Sequence, residues 1–118
     1  MRRFSTYSLP DSLAFRAYRR LKSEEEFRCN YGLNPAYQDA LSAHGLRISG
    51  VDSNGEARII ELPEHPFYLG TLFLPQLSSS LEQPHPLIEA YIRATIDWRF
   101  SILNAREKLS KLFPVREA

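Results

Sequence analysis

The sequence predicts an α/β domain: a small mixed sheet with helices packed on it. Three observations carry this. Apolar residues recur at helical spacing in three stretches, alternate or run together at strand length in others, and succeed one another without an internal repeat over 118 residues, the length of one domain. The hydrophobic share of 43% and charged share of 25% are those of a folded globular chain, so residues 1–118 are read as a single domain.

The chain opens with an extended stretch, Phe4 to Ser8. Pro10-Asp11 then gives a break and an N-cap, and Leu13, Ala14, Ala17, Tyr18 and Leu21 follow at helical spacing. Arg16, Arg19, Arg20 and Lys22, with Glu24-Glu25-Glu26 after them, read as the solvated face. Phe27 to Leu33 reads as a strand. Asn34-Pro35 places a capping side chain before a proline at the first position of a second helix, on which Tyr37, Ala40, Leu41 and His44 share a face and which Gly45 closes. Leu46 to Val51 and Ala57 to Leu62 alternate about the turn Asp52-Ser53-Asn54-Gly55, which is a hairpin. Phe67 to Phe73 is nearly all apolar and reads as a central strand buried on both faces. Ser78 to Pro84 reads as a surface loop.

From Pro86 one apolar stripe continues through Leu87, Ile88, Tyr91, Ala94, Thr95, Trp98, Ile102, Ala105, Leu109 and Leu112, with nothing to stop the helix before Pro114. Such a helix is long for so small a domain. Residues 99–118 are therefore expected to protrude as a helical tail whose apolar stripe needs a partner chain.

Composition excludes several functions. A net charge of +1 gives no broad field for nucleic acid or an anionic membrane, and no apolar run is long enough to span a bilayer. Arg2-Arg3 is not followed by the apolar core of a signal peptide, so a cytoplasmic protein is expected. Cys29 is the single cysteine and His44, His65 and His85 are scattered, which leaves no zinc-ligand spacing; neither a metal nor a cofactor is implied. Cys29 lies between Arg28 and Asn30, without the glycines of a nucleophile turn. His44 reads as a helix-end residue, and His65 and His85, each before a proline, as turn or packing residues.

From Phe27 onward the order is strand, Asn-Pro helix, Gly45-Leu46-Arg47-Ile48-Ser49-Gly50, hairpin, Leu62-Pro63-Glu64-His65-Pro66, apolar strand, then Pro84-His85-Pro86-Leu87. This resembles the later half of the C-terminal class I glutamine amidotransferase domain of CTP synthases, and the stand-alone proteins related to that region, over about Phe27 to Thr95. The resemblance implies a truncated flavodoxin-like domain. It also implies the chemistry of glutamine hydrolysis, in which a cysteine thiolate attacks the amide carbon while a histidine, oriented by a glutamate, moves protons.

Carried over by position, however, Leu74 stands where the family's histidine would be and Gln76 where its glutamate would be. A hydrocarbon accepts no proton, and a neutral amide cannot stabilise an imidazolium. The family's Gly-x-Cys-x-Gly elbow has no counterpart in these residues. Of its basic strand motif only Arg28 and Tyr31 remain as candidates for contacting a ligand, and binding of a glutamine-like molecule is not expected.

Three functions compete. The first is a non-catalytic pseudo-glutaminase module, used for interaction or oligomerisation, with a second copy or a partner chain at the sheet edge. The second is part of a working amidotransferase of pyrimidine nucleotide biosynthesis, forming CTP from UTP and completed by an absent first half. The third is a basic-face binding protein using Arg16, Arg19, Arg20 and the cations of the last helix.

Overall fold

The computed structural model describes residues 2–113. Strand β1 (Arg2–Ser8) points Phe4, Thr6 and Ser8 inward, and pairs on one side with β2 (Lys22–Phe27) in the register Phe4 to Glu25 and Thr6 to Ser23. On its other side Tyr7 and Ser8 meet Val51 and Gly50 of β3 (Arg47–Val51). β3 turns into β4 (Ala57–Glu61), and β5 (Leu69–Thr71) closes the row, giving the order β2-β1-β3-β4-β5.

The α/β class and the small sheet with flanking helices stand, and within that class every strand pair is antiparallel. The sheet is not mixed because the helix between β1 and β2 is too short to carry the chain across. Helix α1 (Leu13–Tyr18) ends at Arg19, whose φ of 59° is left-handed, and the chain turns straight back beside β1. Leu21, expected on the helical stripe, lies past this reversal and is exposed. The N-cap is Ser12 in place of Asp11: its Oγ accepts from the Phe15 N–H at 3.0 Å. Glu61 of β4 completes the cap, its carboxylate accepting from Leu13 at 2.9 Å and Ala14 at 3.1 Å.

The run Glu24-Glu25-Glu26 is not a solvated face. It is the middle of β2, and the two-residue period of a strand turns Ser23 and Glu25 inward while Lys22 and Glu24 face water. The strand expected over Phe27 to Leu33 therefore lies earlier in the chain, and residues 28–34 are irregular. Asn34 caps the next turn as expected, its Oδ1 accepting from Ala36 at 3.0 Å, but the chain first makes a 3₁₀ turn, Pro35–Tyr37, before α2 (Gln38–Ala43). Gly45 follows with φ of 96° and Gly55 closes the hairpin turn with φ of 78°, conformations open to glycine.

The apolar run Phe67 to Phe73 is not a central strand. Only Leu69–Thr71 pairs, at the edge of the sheet, and the run is divided between two packings: Phe67 lies 5.7 Å from Tyr91, ring to ring, while Phe73 enters the core. That core is Ala14, Tyr18, Ile59, Phe73 and Leu87, flanked by Phe4, Ala17, Phe27 and Leu69. Helix α3 (Pro86–Leu112) touches it only through its first turn. Beyond Tyr91 the helix projects, and the long axis of the molecule reaches 64 Å against 39 and 24 Å across. Pro114, read from sequence as the stop, lies outside the described residues, as does the last part of the tail expected over 99–118.

Candidate functional site

Arg58 and Ile60 alternate along β4 with the buried Ala57, Ile59 and Glu61. Together with Gly70 and Thr71 of β5 they floor a cavity of about 390 Å³, which Tyr31 and Leu41 wall from the irregular segment and α2. Gly70 packs closely there, since a Cβ on it would come within 3.0 Å of Ile60 Cγ1. Among the described residues, Arg58 is the only charged one lining it.

That guanidinium is already engaged. Its Nε and Nη2 donate to Asp52 Oδ2 at 3.1 and 3.0 Å, and its plane lies 4.6 Å from the Phe4 ring centroid. Asp52 Oδ1 accepts from the backbone of Asn54 at 2.9 Å and Glu56 at 3.0 Å. Burial pushes the Asp52 carboxyl up, but these backbone hydrogen bonds and Arg58 outweigh it and hold the group below its ordinary value. The pair is thus a buried strut under the hairpin turn, with little left to offer a ligand.

Leu74 lies just past the cavity, half-buried, where its N–H donates to the Glu26 carbonyl at 3.0 Å and so ties the end of the apolar run to β2. Gln76 is exposed in the 3₁₀ turn Pro75–Ser78. Tyr31 lines the cavity; Arg28 does not, and both are exposed. Of the four candidate residues, Tyr31 alone lines the cavity. Cys29 is exposed and outside the cavity. His44, at the end of α2, binds the Ala40 carbonyl through Nδ1 at 2.7 Å, and His65 is exposed.

One cluster was not foreseen. Glu25, 2% exposed, receives the Tyr18 hydroxyl hydrogen bond on Oε1, and His85 Nε2 lies 2.8 Å from the same oxygen. His85 is also the N-cap of α3: its Nδ1 accepts from the Leu87 N–H at 3.1 Å. An Nδ1 that accepts carries no proton, so Nε2 bears it and donates to Glu25. Burial, then the hydrogen bond and charge of Glu25, push the Tyr18 phenol far above its ordinary value against the opposing effects of Ser23 and Arg20; it remains a donor. The cluster joins α1, β2 and α3 in a closed interior. Its sequence signal was the His85-Pro86 step, an acceptor side chain before a proline at the first helical position.

Among the described residues there is no group of three or more His, Cys, Asp or Glu able to hold a metal, and no helix long and apolar enough to cross a membrane.

No family model matches the chain. It is 43% identical over 99 residues to the CTP synthase of Chlamydia muridarum, an alignment covering 83% of this chain and 18% of that protein. Against the CTP synthase of Nostoc punctiforme it is 43% identical over 89 residues, or 75% of this chain and 16% of that protein. The chain thus spans less than a fifth of the length of these relatives. In fold it superimposes on the glutaminase domain of Trypanosoma brucei CTPS, solved with bound acivicin, with a TM-score of 0.75 and 25% identity, covering 80% of this chain and 39% of that one.

Proposed function

The chain is related in sequence and fold to the glutaminase domain of CTP synthase, and from that premise we propose that it is a non-catalytic derivative, an interaction or oligomerisation module that does not hydrolyse glutamine. The observation that carries this reading is the pair Leu74 and Gln76, a hydrocarbon and a neutral amide at the positions that the family's motif assigns to its proton-handling histidine and glutamate. The surroundings agree. The nearby cavity is lined mostly by aliphatic side chains, with Tyr31, Thr71 and one neutralised arginine, and Cys29 is not among its lining residues. General base catalysis needs an ionisable group within hydrogen-bond reach of the proton it takes, and leucine supplies none. A single exposed thiol suits a reducing cytoplasm, where we place the protein.

The test is direct: purified chain incubated with glutamine, with ammonia read by a coupled assay. No release above the buffer rate is expected, and turnover by the chain alone would overturn the reading.

The short span favours a second reading, in which another polypeptide stretch supplies the cysteine elbow and completes an amidotransferase that converts UTP to CTP. Such a stretch would pair with the sheet at its open β5 edge. It predicts ammonia release only when the two are co-expressed. Leu74 weighs against it, because an added first half restores a nucleophile but not a base.

A further inference from the structure

We propose that α3 from Thr95 onward is a self-association seam, along which a second copy of this chain lays its own α3 antiparallel. The spacing of the apolar residues points to a helical partner. Tyr91, Trp98, Ala105 and Leu112 recur every seventh residue, with Thr95, Ile102 and Leu109 between them, the 3.5-residue repeat of a coiled-coil seam. The domain covers only the first turn of this stripe, where Leu87 is buried and Tyr91 meets Phe67.

Past that point the large side chains Trp98, Ile102, Leu109 and Leu112, with Phe113 after them, are 42% to 72% exposed. At roughly 100 Å² each they leave about 500 Å² of apolar surface per chain, toward the upper end of what a monomer tolerates. Doubled across a two-fold axis, about 1,000 Å² reaches the threshold of a specific interface. A seam carried by one helix satisfies a second copy because the same stripe serves both sides.

The orientation follows from the domain's position. The domain occupies the stripe's own face at the helix N-terminus, so two parallel copies would place both domains at one end of axes 8 to 10 Å apart, although the smallest extent of the molecule is 24 Å. Run antiparallel, the second copy's Leu112 comes over Thr95, its Leu109 over Trp98 and its Ala105 over Ile102, large against small in the first and third of these layers. The second copy's Leu112 then sits at the groove of about 300 Å³ that Pro66, Phe67, Thr95 and Trp98 line. Arg99 and Arg106 of the two copies share a flank, so added salt strengthens this association, whereas it weakens attachment to an anionic membrane or a polyanion.

Sedimentation equilibrium of the full chain tests the proposal. The expected result is a dimer that dissociates on dilution and tightens with salt. Ile102→Glu and Leu109→Glu, both at exposed positions, should each weaken it by about tenfold or more while leaving thermal unfolding of the diluted monomer unchanged. A monomer at every concentration, or a dimer that these substitutions leave intact, overturns the seam. In a Cys29→Ser background the double variant Thr95→Cys/Leu112→Cys should form a disulfide-linked dimer and neither single variant should, since two copies of position 112 lie about 26 Å apart along the axis. Cross-linking by Leu112→Cys alone overturns the antiparallel orientation, and capture of a monomer by anionic vesicles without self-association overturns the choice of a second copy.

Discussion

His85 performs two duties with one ring, capping α3 through Nδ1 and donating to Glu25 through Nε2. Removing the ring withdraws the cap, worth about 1 kcal/mol, and strips a buried carboxylate of a partner, which typically destabilises by about 3 to 5 kcal/mol. His85→Ala is therefore expected to lose at least about 3 kcal/mol in urea unfolding, more than Glu25→Gln, which leaves no buried charge. Asp52 contributes to the response to acid. Its folded value is below the ordinary 3.8, so its contribution is complete above that value and drains away as pH falls through the lower folded one. Asp52→Ala should lower neutral stability by about 2 kcal/mol and make the decline of unfolding free energy just below pH 4 shallower than in the unsubstituted chain. Neither residue declared itself in the sequence: Asp52 read as ordinary turn composition, and Glu25 was hidden among three consecutive glutamates that resemble a solvated run. Leu74 and Gln76 were legible only through the surrounding motif, because a leucine and a glutamine carry no chemical signature of what they replace.

The hairpin β3–β4 was readable because its information is local, an alternating pattern around a turn with glycine where φ must be positive. α3 was readable because its period persists over 27 residues. β2 was misplaced because its pattern of charged and small residues makes sense only against β1, to which it is paired by contacts far apart along the chain. The apolar run before residue 74 misled for a similar reason, since sequence cannot tell a strand buried twice from a segment whose ends pack in different places. Packing is close where Gly50 of β3 pairs with Ile59 of β4. A Cβ on Gly50 would come within 2.6 Å of Ile59 Cγ1, and Ile59 is fully buried. Gly50→Ala should destabilise the domain by about 2 to 3 kcal/mol in chemical denaturation, and Gly50→Ala/Ile59→Val should recover part of that loss.

At the scale of the molecule, the two sheet edges differ. β2 presents Lys22, Glu24 and Glu26, charges that discourage pairing with another strand, whereas β5 is short and apolar. Inside, the sheet face under α1 is polar: Thr6, Ser8 and Ser49 are buried there with hydroxyls that meet no partner among the described residues, as is one oxygen of Glu25, and Ser23 is buried beside them. Among the described residues six hydrophobic side chains are buried against nine polar or charged ones. Hydration of apolar groups raises the heat capacity on unfolding, and hydration of polar groups lowers it. Calorimetry of the diluted chain should accordingly give an increment below about 12 cal/mol/K per residue. A small increment flattens the curve of free energy against temperature: such a protein gains little from an optimum, loses little on chilling, and melts over a broad span.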